Sequence, residues 1–185
     1  RVLSKLNTTF PTKKIEVYKT LDFFVENFLP NYASKRNFDL GPPHSNVSKL
    51  SPFIRRRLLS EKEILETILF KCSLNSIDKF VQEIFWRTYW RGWLEFHPKV
   101  YAEFEKNTKE YEIPKKTGIK CFDHWTEELL DTGYLHNHAR MWYASIWIFT
   151  LKRSWEEGAQ FFSDYLIDWC PASNTLGWRW VAGIQ

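Results

Sequence analysis

Residues 83–93 read EIFWRTYWRGW, three tryptophans and two arginines in eleven residues behind a glutamate. On a helical wheel Glu83, Trp86, Arg87 and Trp90 share one broad face, while Ile77, Val81, Ile84 and Phe85 fall largely elsewhere. The residues alone leave two readings open. In one, this is a core helix whose indoles pack inside while the arginine heads snorkel to water. In the other it is a recognition face, with rings to stack on bases, a guanidinium for phosphate and a carboxylate to accept from a base edge.

Working outward, the surrounding chain carries helical signals and few others. Residues 15–30 (IEVYKTLDFFVENFLP) space Val17, Leu21, Phe24, Val25 and Phe28 as one apolar stripe and run into Pro30. After a polar loop with Gly41, Pro42 and Pro43, the pair Ser51-Pro52 predicts an N-cap and first turn. Ser60 with Glu63 predicts a capping box opening a helix through about Lys71. The segment quoted above belongs to a helix over 76–96. Further helices are expected over 98–106, 121–132 (closed by Gly133), 137–152 and 155–167. Alternating strand patterns and Asn-Gly hairpin turns are missing, so the fold class is all-α.

Composition narrows the function classes. The chain has 185 residues, a length suited to one domain, and a formal charge of +4, which permits a nucleic-acid partner without requiring one. Ten Trp and 18% aromatic residues point to a ring-rich core or a pocket for flat ligands. Three separated cysteines without CxxC or His spacing argue against a disulfide framework or a metal site and suit reduced thiols inside a cell. No signal peptide or long apolar run points to a membrane. The chain opens on Arg1 rather than Met, so a trimmed N-terminus is expected, with residues 1–14 as a leading linker.

Six pieces then occur in order: NYASKRN (31–37), SKLSP (48–52), EIFWRTYWR (83–91), TGIKCFDHW (117–125), TGYLHNHARMW (132–142) and LIDWCPASNTLGWRW (166–180). Together they resemble the helical FAD-binding domain of the photolyase and cryptochrome family, over roughly residues 20–185. The resemblance implies a helical FAD-binding domain across 1–185. The family's N-terminal antenna domain has no counterpart in the sequence, and family members continue past GIQ. A fragment or an unusually short relative is therefore expected, with no antenna chromophore in this chain. Its partner would be either the remainder of a longer chain or a separate one.

What the resemblance implies for the site is specific. FAD would be held, noncovalently, by Tyr32, Ser48, Lys49, Leu50, Ser51, Phe80, Arg87, Asn137, Arg140, Asp168, Cys170 and Asn174. Ser48 to Ser51 precede a helix N-terminus, whose free N–H groups suit a diphosphate. Arg140 and Asp168 would pair beside the flavin ring, and Asn174 would face flavin N5, an amide there being typical of the repair branch. Where the family commonly has Asp-x-Asp, this chain has Asp168-Trp169-Cys170. Trp178 and Trp155 match the first two members of an electron-transfer chain, with Tyr101 or Tyr111 as stand-ins for the third. UV-damaged DNA would be the partner, its flipped pyrimidine dimer held by Glu83, Trp86, Arg87, Asn137, Met141 and Trp180. Arg87 would reach DNA phosphate or fix the Glu83 carboxylate.

The function implied is light-driven repair of cyclobutane pyrimidine dimers, by electron transfer from reduced flavin to the flipped lesion, with Glu83, Asn174, Trp178 and Trp155 in catalytic roles and no metal. The alternatives are a cryptochrome-like blue-light sensor, or a truncated remnant that binds DNA or protein without catalysis. His136 and His138 bracket Asn137, yet their setting differs from that of the (6-4) enzymes' catalytic histidine.

Overall fold

The computed structural model describes residues 10–108 and 110–184, and every element among them is helical. They form two compact units, 10–88 and 89–184, each with its own core. Residues 1–9 of the expected linker lie outside the described residues.

In the first unit, α1 (Lys14–Asn27) buries Val17, Leu21, Phe24 and Val25, the stripe read from the sequence. The helix stops at Asn27 rather than running to Pro30. Proline has no N–H to continue the ladder, and it opens instead a separate 3-10 turn at Leu29–Asn31. α2 (Tyr32–Lys35) follows, and then a loop tied down by Asn46, whose Nδ2 donates to the Lys35 carbonyl at 2.8 Å and to that of Phe38 at 2.6 Å. α3 spans Ser51–Arg55. Its N-cap is Leu50, not Ser51 as the sequence suggested. Pro52 therefore stands one place further into the helix, with Ser51 as its first residue. α4 (Glu61–Lys71) opens on the expected capping box, Ser60 and Glu63 exchanging both bonds. The core of this unit gathers Phe24, Leu29, Tyr32, Leu50, Phe53, Ile64, Ile68, Phe80 and Ile84.

α5 runs Leu74–Phe96, and the boundary of the units falls within it, between Thr88 and Tyr89. Ile77, Phe80 and Ile84 are its buried positions in the first unit, while Phe85 and Trp86 are exposed. Of the four residues that the wheel set apart from Glu83 and Trp86, Ile77 and Ile84 are buried and Phe85 is exposed.

The second unit holds α6 (Pro98–Asn107), α7 (Lys120–Thr132), α8 (Asn137–Ser145), α9 (Trp155–Tyr165) and α10 (Pro171–Ala182). α7 ends where Gly133 adopts φ 68°, the left-handed cap that a residue without Cβ accepts most easily. The helix expected over 137–152 is two pieces. After Ser145 the chain widens into a π turn, Ile146–Thr150, closed by Leu151 N–H to the Ile146 carbonyl at 2.9 Å. Trp147 explains the widening: it is fully buried, its Nε1 donates to the Ser154 carbonyl at 2.9 Å, and the Arg153 guanidinium lies 4.7 Å from its ring centroid. α10 was not foreseen, although Pro171 at its start and Gly183 at its end are ordinary boundary residues. Phe122, Tyr143, Trp147, Phe161, Phe162 and Trp178 form an aromatic core, which absorbs much of the ring excess.

Candidate functional site

In the second unit a cavity of about 120 Å³ opens between α8, the turn before α10, and α10 itself. Its wall includes Asn137, Arg140, Met141, Asp168, Cys170, Asn174 and Trp178. Short-range constraints fix the polar members of that wall. The turn carrying Asp168 is held by Ile167 N–H to the Gly133 carbonyl at 2.9 Å, which ties it to the end of α7. Arg140 then donates from Nε to the Leu135 carbonyl and from Nη2 to Asp168 Oδ2, both at 2.9 Å. Burial works against the Arg140 charge, but Asp168, with help from Tyr134, holds its pKa above the ordinary value. Asp168 is the buried charge of the two, and a buried charge needs such a partner.

Asn174 is fixed as firmly. Its Nδ2 donates to the Ala159 carbonyl on α9 at 2.8 Å. A carbonyl only accepts, so this bond assigns the amide orientation, and Oδ1 is the atom left for a ligand. One turn further on, Trp178 packs on Gly158, where an added Cβ would fall 2.2 Å from the indole. Glycine at 158 is what lets α9 and α10 approach there. Trp178 Nε1 is buried without a hydrogen-bond partner, a donor at the cavity wall.

This set of donors and acceptors suits the edge of a flat heterocycle: a guanidinium and an indole N–H donate, and a carboxylate and an amide oxygen accept, beside aromatic surface. The volume lies below the roughly 300 Å³ at the lower end of small-molecule pockets. It fits one end of a ligand rather than a whole dinucleotide.

Trp178 and Trp155 each stand among other rings. The ring neighbours of Trp178 are Phe162 at 5.1 Å and Trp147 at 6.1 Å. Trp155 instead meets Phe104 at 5.6 Å, and Phe104 leads on to Tyr101 at 5.9 Å. Tyr111 stands against Phe161 at 5.7 Å and donates to Asp164 at 2.7 Å. Trp147 is thus a ring that sequence reasoning missed. His136 acts structurally, since it is fully buried and its Nδ1 accepts from the His138 N–H as the N-cap of α8. Trp180 is 58% exposed.

In the first unit, Tyr32 is buried edge-on against Phe24 and Phe80, with centroids 6.0 and 5.1 Å away. Burial raises its phenol pKa, Glu83 adds to this and Arg36 opposes it. Ser48 Oγ accepts from the Leu50 N–H at 3.4 Å. Between them Lys49 takes φ 51°, uncommon for a residue with a Cβ, and burial lowers its pKa. Glu83 is paired with Arg36, its Oε1 accepting from Nη1. Arg87 Nε lies 3.8 Å from Glu61. Arg36, within NYASKRN, is a second residue that sequence reasoning missed. Trp86 is 48% exposed, which removes it from the core.

Helical architecture and a polar-edged aromatic cavity together define a cofactor-binding domain of the all-α class. The family model described as the FAD binding domain of DNA photolyase matches residues 80–185. The chain belongs to that family. The deoxyribodipyrimidine photo-lyase of Alkalihalophilus pseudofirmus is 29% identical over 90% of this chain and 37% of its own length. A crystal structure of a bacterial class III photolyase from Agrobacterium tumefaciens superposes with a TM-score of 0.75 at 25% identity, over 94% of this chain and 39% of that one. A Synechocystis cryptochrome shares the fold, with a TM-score of 0.79 at 24% identity over 97% of this chain and 41% of that one. This chain therefore spans about two fifths of such relatives. Among the described residues, no helix is long and apolar enough to cross a membrane.

Proposed function

We propose that this chain binds FAD and serves light-driven repair of cyclobutane pyrimidine dimers in DNA. The observation that carries the reading is the cavity wall built from the Arg140–Asp168 pair and the oriented amide of Asn174. Bound FAD would supply one-electron chemistry driven by blue light. Arg140 would set a positive charge beside the ring, with Asp168 holding it in place. Asn174 would offer Oδ1 to the N5 edge, and Cys170 would line the wall where relatives commonly carry a second carboxylate. Asn137 and Met141 would stand on the lesion side. On the first unit, Tyr32, Ser48, Lys49, Leu50 and Ser51 are proposed as phosphate-binding residues, with Phe80 backing Tyr32. Glu83, Trp86 and Arg87 are proposed as contacts to damaged DNA, and Trp180 on α10 shares that role. Trp178 and Trp155 would feed electrons toward the cofactor.

The test is reconstitution with FAD, a visible spectrum, and an assay of dimer loss under blue light. Flavin retained at one per chain with light-dependent dimer loss is the expected result. Well-folded protein that retains no flavin sinks the proposal. Flavin retained without dimer loss would move the chain to the sensor reading. Asn174→Asp sharpens the cavity assignment, because a carboxylate cannot donate to the Ala159 carbonyl. The substitution should change the photoreduction spectrum, and identical spectra would take Asn174 out of the flavin site.

A further inference from the structure

We propose that Gly177 is a specificity-determining residue of the cavity, keeping open the space in which the flat ring of the cofactor lies against α10; this rests on the FAD-binding reading above. Ser173, Asn174, Gly177, Trp178 and Val181 all line the cavity, and their spacing makes one face of that helix. Gly177 stands near the middle of the 12 residues of α10. Glycine in such a place costs a chain about fivefold in its folding equilibrium relative to alanine. Nothing in the packing offsets that cost. A Cβ at 177 would have no atom within 4 Å beyond its chain neighbours and the backbone of its own helix. Gly158 on α9 is the opposite case, since a Cβ there would strike the Trp178 indole at 2.2 Å.

The space over Gly177 therefore belongs to something that the fold does not supply, and its walls select what enters. Asn174 offers Oδ1 as an acceptor, because Nδ2 is held by the Ala159 carbonyl. Trp178 Nε1, buried without a hydrogen-bond partner, is a donor on the same wall. A polar rim beside a bare stretch of backbone suits a thin heterocycle, whose edge takes the hydrogen bonds while its face comes close to the helix. Even a methyl group at 177 would stand between such a ring and α10, and a larger side chain would fill the space. Helix stability and room for the ring thus pull in opposite directions at this one residue.

The experiment compares Gly177→Ala, Gly177→Leu and a control, Gly92→Ala, in the full chain. Gly92 is also helical and also has nothing within 4 Å of an added Cβ, but it does not line the cavity. Thermal midpoints are measured on the flavin-free chain, and dissociation constants and visible spectra with added FAD. All three substitutions should raise the flavin-free midpoint, since alanine and leucine favour a helix over glycine. Gly177→Ala should nevertheless weaken FAD binding about 5- to 150-fold, the equivalent of an overpacked site. Gly177→Leu should weaken it further, and Gly92→Ala should leave it unchanged. In the FAD still bound to Gly177→Ala the visible band should shift, because that band reports the surroundings of the flavin ring. Unchanged FAD affinity in Gly177→Leu overturns the proposal while the FAD reading stands. A flavin-free midpoint that falls in Gly177→Ala overturns it as well, because the fold itself would then occupy the space. Weaker binding with an unshifted band would put the adenine there instead of the flavin ring, and that also overturns it. A wild-type chain that binds no FAD overturns both.

Discussion

Two arginine–carboxylate pairs sit in the two units, built for opposite purposes. Arg140 and Asp168 meet at 2.9 Å, with only 2% of the aspartate side chain exposed, and the guanidinium is further tied to the Leu135 carbonyl. Arg36 and Glu83 meet with 34% of the glutamate side chain exposed. The first pair is a closed wall: its carboxylate is out of water, and its guanidinium is tied to the backbone as well. The second is an open device, with charge neutralised while the carboxylate stays in reach of water. Desolvation makes the difference. Deep burial makes a lone charge very costly, whereas a half-exposed one has water to fall back on.

Asp168→Ala puts the largest strain on that comparison. It strands Arg140, so stability of residues 89–184 should fall by about 3–5 kcal/mol, the usual cost of breaking a buried pair. Denaturant midpoints, read on Trp fluorescence, measure it. Glu83→Gln should shift stability by less than about 1 kcal/mol, as for other solvent-screened pairs. Equal losses in the two variants would erase the distinction between wall and device.

Gly158→Ala comes next. The new methyl would meet the Trp178 indole at 2.2 Å, so α9 or the ring must shift. Overpacking of this kind costs about 1–3 kcal/mol. Because Asn174 is oriented by Ala159, the same shift should loosen the amide and lower flavin retention. A variant with an unchanged melting midpoint and full flavin content would show that the close approach of α9 and α10 is not needed.

Trp86→Ala probes the open side. As an exposed ring it should cost little stability, whereas a core indole such as Trp178 would cost about 3–5 kcal/mol. Affinity for dimer-containing DNA should drop by about 1–3 kcal/mol, the worth of one base–aromatic stack. Undamaged duplex, held through phosphates, should be affected much less. A collapsed midpoint would return Trp86 to the core.

What the sequence disclosed follows the range of the interactions concerned. Stripes such as Val17, Leu21, Phe24 and Val25, the Ser60–Glu63 box and the Gly133 cap are local, written within one or two turns, and they were legible. Asp168 and Arg140 were paired by resemblance alone, since their spacing carries no such instruction. The Arg36–Glu83 contact joins residues 47 apart, and no local pattern announces it. α10 was overlooked although its motif residues Asn174, Trp178 and Trp180 were singled out. The run reads as pocket chemistry rather than as an apolar stripe, because the helix is buried on more than one side. Trp147 was missed for a related reason: in a chain with ten tryptophans, only packing tells which ring stands next to Trp178.

The smallest expected effect concerns another open network of the first unit, and it is read through pH. Glu63 accepts from the Tyr18 hydroxyl, the Ser60 N–H and hydroxyl, and Lys14, which joins α1 to the start of α4. The Tyr18 bond first, then those of Ser60 and Lys14, hold its pKa at about 2, against an ordinary 4.5. A depressed carboxylate pKa means the folded state holds the ionised form more tightly than the unfolded chain does. The contribution is therefore complete above about pH 4.5 and fades as pH falls toward about 2. Lys14 is well exposed, so salt should weaken the effect further. Amide hydrogen exchange in α1 and α4 should accelerate over that interval, and Glu63→Gln should remove the pH dependence. Tyr18→Phe, which deletes the strongest of the bonds, should narrow the interval from its acid end. If exchange in α1 and α4 in the wild-type chain is the same at about pH 2.5 and about pH 5 once intrinsic rates are corrected, this exposed network adds nothing to stability, and only closed pairs such as Arg140–Asp168 count toward holding the chain folded.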